Sequence, residues 1–144
     1  MQVQELLERK GTNVESTKPG STVMAAVGRM RVSGVGALVV SEDGRSITGI
    51  LDERVIVWSF AQHSRELADL HVRDIMRHEV VTCTPTDSLK DAMAKMTVNR
   101  VRHLPVVEHG ALVGLVSIGD IVKSRLEDLE LESRVLHDIA LARR

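Results

Sequence analysis

The sequence predicts an α+β fold in which two copies of a helix-strand-strand-helix unit, each led by a short strand, pack about a pseudo-two-fold axis. Two observations predict it: the chain nearly repeats itself, and within each copy the apolar residues recur first at helical and then at strand spacing. Residues 19–44, PGSTVMAAVGRMRVSGVGALVVSEDG, align without a gap on residues 85–110, PTDSLKDAMAKMTVNRVRHLPVVEHG. Pro19, Ala26, Met30, Val32, Val35, Leu38, Val40, Glu42 and Gly44 meet identical residues. With one residue fewer in the second hairpin, GILDERVIV (Gly49 to Val57) then falls over GLVSIGDIV (Gly114 to Val122).

The elements follow in order. Val23, Ala26, Val27 and Met30, and in the second copy Leu89, Ala92, Met93 and Met96, make one apolar stripe on a short helix. Thr22 and Ser88 precede these stripes as N-caps, Ser88 with Asp91 at capping-box spacing. ALVVS and HLPVV are β-rich runs, EDGRS and EHGA are turn chemistry, and ITGIL and LVGLV return as second strands. Second helices are expected from about Asp52 to Gln62 and from about Ser117 onward, and VES and VVT supply the lead-in strands. HSRELADLHVRDIM contains neither Gly nor Pro, which predicts a packed helical connector. The division is 1–70 for the first repeat with an N-terminal lead-in helix, 71–126 for the second, and 127–144 for a helical tail with Leu129, Val135, Leu136 and Ile139 at helical spacing. A hairpin with two helices cannot cover its own sheet, so the copies should bury their apolar faces on each other and leave clefts where they meet.

Composition narrows the function. In 144 residues, 19 Lys plus Arg stand against 20 Asp plus Glu, so nothing general attracts nucleic acid or an anionic membrane. Aromatics are 1%, too few for a stacking platform. No apolar run reaches the length of a membrane span and MQVQELLERK is too charged for a signal peptide, so cytoplasm is the expected location. The lone Cys83 has no neighbouring His or Lys and reads as a buried hydrophobe. The six histidines form no ligand spacing for zinc. No nucleophile-base pair and no Gly-rich phosphate loop marks an enzyme.

What remains is the bend at Ser117 and Asp120. Ser at N-cap with Asp at N3 satisfies open amides at a helix start with or without a ligand. The same geometry also seats a phosphate and presents a carboxylate to ribose hydroxyls. The first copy has Asp52 and Val55 at these places, and Gly36 and Ala37 where the second has Arg102 and His103. One nucleotide site is therefore expected beside Asp120 and a degenerate one beside Val55, with drift between the copies as the plainer account.

The duplicated unit, RHLPVV (Arg102 to Val107) and Gly114-x-x-Ser117-x-x-Asp120 together resemble a tandem pair of cystathionine β-synthase (CBS) domains, the Bateman module, over roughly Val3 to Leu126. VQELLERKGTNVEST and VRDIMRHEVVTCT are similar to the lead-ins of small stand-alone bacterial members. The resemblance implies a regulatory, non-catalytic module that needs no cofactor, binds an adenine nucleotide (AMP, ADP, ATP or NAD(H)) and forms a homodimer read by an effector protein. It implies Asp120 on the ribose, Ser117, Arg102 and His103 on phosphate, and Thr12, Asn13 and Val14, next to Gly11, around the base with Val35 on the opposite wall. The slot so assembled has no aromatic residue. The alternative is a structural dimerisation module without a ligand.

Overall fold

A computed structural model describes all of residues 1–144. Along the chain run α1 (Val3–Lys10), β1 (Ser16–Thr17), α2 (Val23–Ser33), β2 (Ala37–Val40), β3 (Gly49–Asp52), α3 (Glu53–His63), a 3-10 turn (Ser64–Asp69), α4 (Val72–Ile75), α5 (Leu89–Asn99), β4 (His103–Glu108), β5 (Ala111–Ser117) and α6 (Ile118–Ala142). The repeat read from the sequence is kept to the residue: α2 and α5 begin and end at aligned positions, and each is capped by the expected side chain. Thr22 Oγ1 accepts from the Ala25 amide at 3.1 Å and Ser88 Oγ from the Asp91 amide at 3.0 Å. Asp91 does not complete a capping box, and Ser88 sits opposite Gln2 in an antiparallel bridge. Each helix ends on a left-handed residue, Gly34 in the first copy and Arg100 in the second. Glycine takes that conformation freely, whereas arginine is strained in it.

β1 runs parallel to β2, pairing Ser16 with Val39, and β2 runs antiparallel to β3. In the second copy β4 and β5 form the hairpin, with a register shift between Val106 and Val107, and the lead-in strand shrinks to one parallel bridge, Cys83 to Val106. The connector is helical as expected, though divided into the 3-10 turn and the single turn of α4.

The lead-in helices cross over. α1 is sequentially attached to the first repeat, yet Val3, Leu6 and Leu7 lie in one apolar cluster with Ala92, Met96, Leu104, Val116 and Ile121 of the second. α4 does the converse, Val72 and Met76 packing with Met30, Leu38, Leu51 and Val55 of the first. The start of α1 explains the attachment: the Val3 amide donates to Asp87 O and the Leu89 amide to Met1 O. Aligned core residues are buried alike, with Leu38 and Leu104, and likewise Leu51 and Val116, at zero exposure. Each fully buried aliphatic side chain contributes about 1.5–3 kcal/mol, so the two cores are comparable stabilising units.

Candidate functional site

The two bends that begin α3 and α6 are the chemically distinct part of the repeat. At the second, the Ser117 Oγ accepts from the Asp120 amide at 3.1 Å and Asp120 Oδ2 accepts from the Ser117 amide at 2.9 Å, a complete capping box. The same Oδ2 takes a bond from Lys10 Nζ at 2.6 Å, and Lys10 also donates to Leu115 O at 2.7 Å. Asp120 Oδ1 makes no hydrogen bond with the protein. Burial pushes the Asp120 carboxyl up, but the Lys10 ammonium and the Ser117 amide outweigh it and hold the group below its ordinary value. Ser117 and Asp120 are thus a cap, and the cap leaves one carboxylate oxygen and the start of a long helix open.

At the first bend Asp52 Oδ1 accepts from the Val55 amide at 2.8 Å. Its Oδ2 stands 3.4 Å from Arg77 Nε, an ion pair by distance in which the guanidinium nitrogen makes no hydrogen bond. The Asp52 carboxylate therefore faces the Arg77 guanidinium as well as the start of α3. Val55, aligned with Asp120, is buried in the first core and offers no polar group. Sequence reasoning missed the basic partners Lys10 and Arg77 because each reaches from a lead-in segment to the copy that this segment does not lead into.

His103 stands between the bends. A β-carbon added at Gly36 would come 3.5 Å from His103 Cε1 and 3.2 Å from Glu53 Oε1, so the imidazole lies against the backbone of the first copy. Burial lowers the pKa of His103 more than the carboxylates of Asp52, Asp120 and Glu53 raise it, with Lys10 adding to the lowering. The neutral imidazole is favoured. His103 and Arg102 line a cleft of about 470 Å³ between the copies, together with Asp52, Glu53, Arg100 and Trp58. Arg54 lies over the Trp58 ring, 5.2 Å from its centroid, so an aromatic surface borders the inter-repeat cleft, at residues other than those of the slot read from the sequence.

The remaining site residues are more dispersed. Thr12 and Asn13 are exposed and Val14 half-buried in the loop after α1, which starts at the Lys10–Asp120 pair. Asn13 Nδ2 donates to Glu15 Oε1 at 3.4 Å. Val35 lines a separate apolar pocket of about 410 Å³ with Val27, Met30 and Ile56. Asp120 borders a smaller one of about 110 Å³ with Lys10, Arg9 and Lys123. The structure brings Arg102 to His103 in one cleft and Ser117 to Asp120 at one bend, with His103 electrostatically coupled to both carboxylates. It does not seat Val35 in the pocket that Asp120 borders. Cys83 is buried and its thiol is pushed up to about 11 by burial and the Asp87 charge, which makes it inert.

The model of the CBS domain matches the chain twice, over residues 4–60 and 72–127. The chain belongs to the CBS domain family. The CBS domain-containing protein CBSX3, mitochondrial, of Arabidopsis thaliana is 34% identical over 85% of this chain, which spans 63% of that protein's length. YhcV of Bacillus subtilis is 32% identical, with 81% of this chain and 82% of YhcV covered. The crystal structure of the CBS-domain protein ATU1752 of Agrobacterium tumefaciens superposes with a TM-score of 0.84 at 35% identity, covering 87% of this chain and 99% of the other. The CBS domain pair of protein MJ0100, solved with 5′-methylthioadenosine and S-adenosylmethionine, shares the fold at a TM-score of 0.75 and 21% identity, over 88% of this chain and 98% of that one. No helix of the CBS pair is long and apolar enough to cross a membrane.

Proposed function

We propose that this CBS pair is a non-catalytic sensor of an adenine nucleotide, AMP, ADP, ATP or NAD(H), with one competent site at the Ser117–Asp120 bend and a degenerate one at Asp52–Val55. The observation that carries it is the asymmetry of the bends: Asp120 keeps Oδ1 unpaired beside a helix start, while the aligned Val55 is buried. Oδ1 would accept a ribose hydroxyl, the α6 amides with Ser117 would seat phosphate, and Arg102 and His103 would complete the anion site. Thr12, Asn13, Val14 and Val35 are assigned to the base. The ligands of the MJ0100 pair, both adenosine derivatives, support the ligand class. Arg54, Arg100 and Arg102 around the cleft favour a phosphorylated ligand over the cationic sulfonium of S-adenosylmethionine.

A second reading has its own observation. Lys10 already neutralises Asp120, so the bend is complete as a structural joint, and the pair would then serve only to dimerise. Mass action separates the two: a ligand that binds the fold raises the melting temperature. A thermal-shift series over AMP, ADP, ATP, NADH and S-adenosylmethionine should show a concentration-dependent rise for at least one phosphorylated nucleotide. A flat response to all five leaves the structural reading.

A further inference from the structure

Asp120 has only one carboxylate oxygen left for a ligand. Its Oδ2 already receives two donors, the Ser117 amide at 2.9 Å and Lys10 Nζ at 2.6 Å, and a carboxylate oxygen has two lone pairs. Oδ2 is therefore full and Oδ1 is open. Lys10 is firmly placed. Its ammonium is held a second time by Leu115 O at 2.7 Å, and Leu6 and Leu7, about one turn before it, anchor α1 in the core of the second copy. Directly after it Gly11, at a φ of 99°, turns the chain into the Thr12 to Val14 segment. Along the chain, Lys10 thus joins the contact with the carboxylate assigned to ribose to the loop assigned to the base.

A ribose presents two neighbouring hydroxyls. The two oxygens of a free carboxylate, about 2.2 Å apart, can accept one hydroxyl each in a bidentate arrangement. A single oxygen cannot replace them. Its lone pairs point about 120° apart, which sets two donors at about 2.8 Å nearly 5 Å from one another, whereas the oxygens of a cis-diol are only about 3 Å apart. One hydroxyl is aligned and the other is left to water. Nor does a hydroxyl displace the lysine, because an ammonium bonds a carboxylate more strongly than a neutral donor does, and Lys10 would lose Leu115 O as well.

We infer that Lys10 sets the sugar selectivity of the site, confining Asp120 to one hydroxyl and so admitting adenine nucleotides that lack the other. The role rests on Asp120 as the ribose residue and adds a property to it. An Asp120 freed of Lys10 would hold both hydroxyls and discriminate against either deoxynucleotide.

Calorimetry on the full chain tests this with AMP, 2′-deoxy-AMP, 3′-deoxy-AMP and 2′,3′-dideoxy-AMP, or with the matching ATP series where ATP is the nucleotide that binds. In the parent, one monodeoxy analogue should bind within about threefold of the ribonucleotide, and the dideoxy analogue should lose about tenfold or more. Lys10→Met keeps the apolar stem and frees a lone pair on Oδ2, so both monodeoxy analogues should fall about tenfold below the ribonucleotide. Each ratio is taken within one protein, so the loss of a cation from the site cancels. Melting without ligand shows that the variant is folded, and the parent's ratios test the role without it. A parent that rejects both monodeoxy analogues by tenfold or more, or a folded Lys10→Met with the parent's ratios, overturns the role of Lys10 and leaves Asp120 on the ribose. A dideoxy analogue that binds like the ribonucleotide takes Asp120 off the ribose and overturns both.

Discussion

Lys10 Nζ and Asp120 Oδ2 lie 2.6 Å apart and join the end of α1 to the first turn of α6. The contact is partly exposed, so as an ion pair it stabilises by less than about 1 kcal/mol; the capping box that Asp120 makes with Ser117 contributes about 1 kcal/mol more. Asp120→Ala removes both and should lower the stability of the CBS pair by about 1–2 kcal/mol. Its effect on ligand should be larger. Losing charge-assisted bonds to ribose costs about 1.5–3 kcal/mol, a tenfold to hundredfold weaker affinity for the responding nucleotide by calorimetry. Equal affinity in the variant removes Asp120 from the site.

Lys10→Met separates the joint from the ligand. The Asp120 carboxyl is held below its ordinary value in the folded chain, so its contribution is complete above the unfolded value near pH 4 and is lost as pH falls through the folded one. Without Lys10 that lowering shrinks, and unfolding curves between about pH 2 and 5 should depend less on pH than those of the parent. An unchanged acid profile would mean that the ion pair does not form in solution.

His103 gives a second dependence in a different window. Burial holds its pKa below the usual 6.5 despite the carboxylates of Asp52, Asp120 and Glu53. The unfolded chain therefore takes up a proton first as pH falls, and the stabilisation present above about pH 6.5 is lost as pH drops through the lower folded value. His103→Gln should flatten melting temperature against pH over that interval while the parent's falls. A parent whose stability is level from pH 7 to 5 contradicts the buried neutral imidazole.

The repeat, the order of elements and the caps at Thr22, Ser88, Asp52 and Ser117 were legible because they depend on local spacing and local hydrogen bonds. The exchange of lead-in helices was not, since α1 and α4 carry similar apolar faces and nothing local states which core each enters. The same limit hid Lys10 and Arg77, whose carboxylate partners lie far along the chain in the first case and across the sheet in the second. Trp58 was legible as an aromatic but not as a cleft residue, because its position depends on how the copies meet. In the tail, the helical pattern was plain, and only the body's grip ending at Asp128 shows that its apolar stripe is uncovered.

The crossed lead-ins can be tested at two aligned glycines. A β-carbon on Gly49 would sit 2.6 Å from Arg77 O and 2.7 Å from Met76 Sδ, whereas on Gly114 it would sit 2.8 Å from the two methyl carbons of Leu7. A methyl group can turn aside, and a carbonyl held in the Ile50–Arg77 bridge cannot. Gly49→Ala should destabilise by about 2–3 kcal/mol and Gly114→Ala by about 1 kcal/mol, measured by urea unfolding. The reverse order would mean that α4 moves off its strand more easily than α1.

Arg100 ends α5 in a conformation that costs stability. Its φ of 53° places a residue with a β-carbon in the left-handed region where the aligned residue is Gly34, at a strain of about 1 kcal/mol. Its side chain borders the inter-repeat cleft, and its carbonyl accepts from Arg54 Nη1 at 3.1 Å. Arg100→Gly keeps the carbonyl, relieves the backbone and should raise stability by about 0.5–1 kcal/mol in urea unfolding. The same variant should bind the responding nucleotide several-fold more weakly, by an amount that shrinks as salt screens the lost cation. A variant that gains stability and keeps its full affinity would place Arg100 outside the anion's reach.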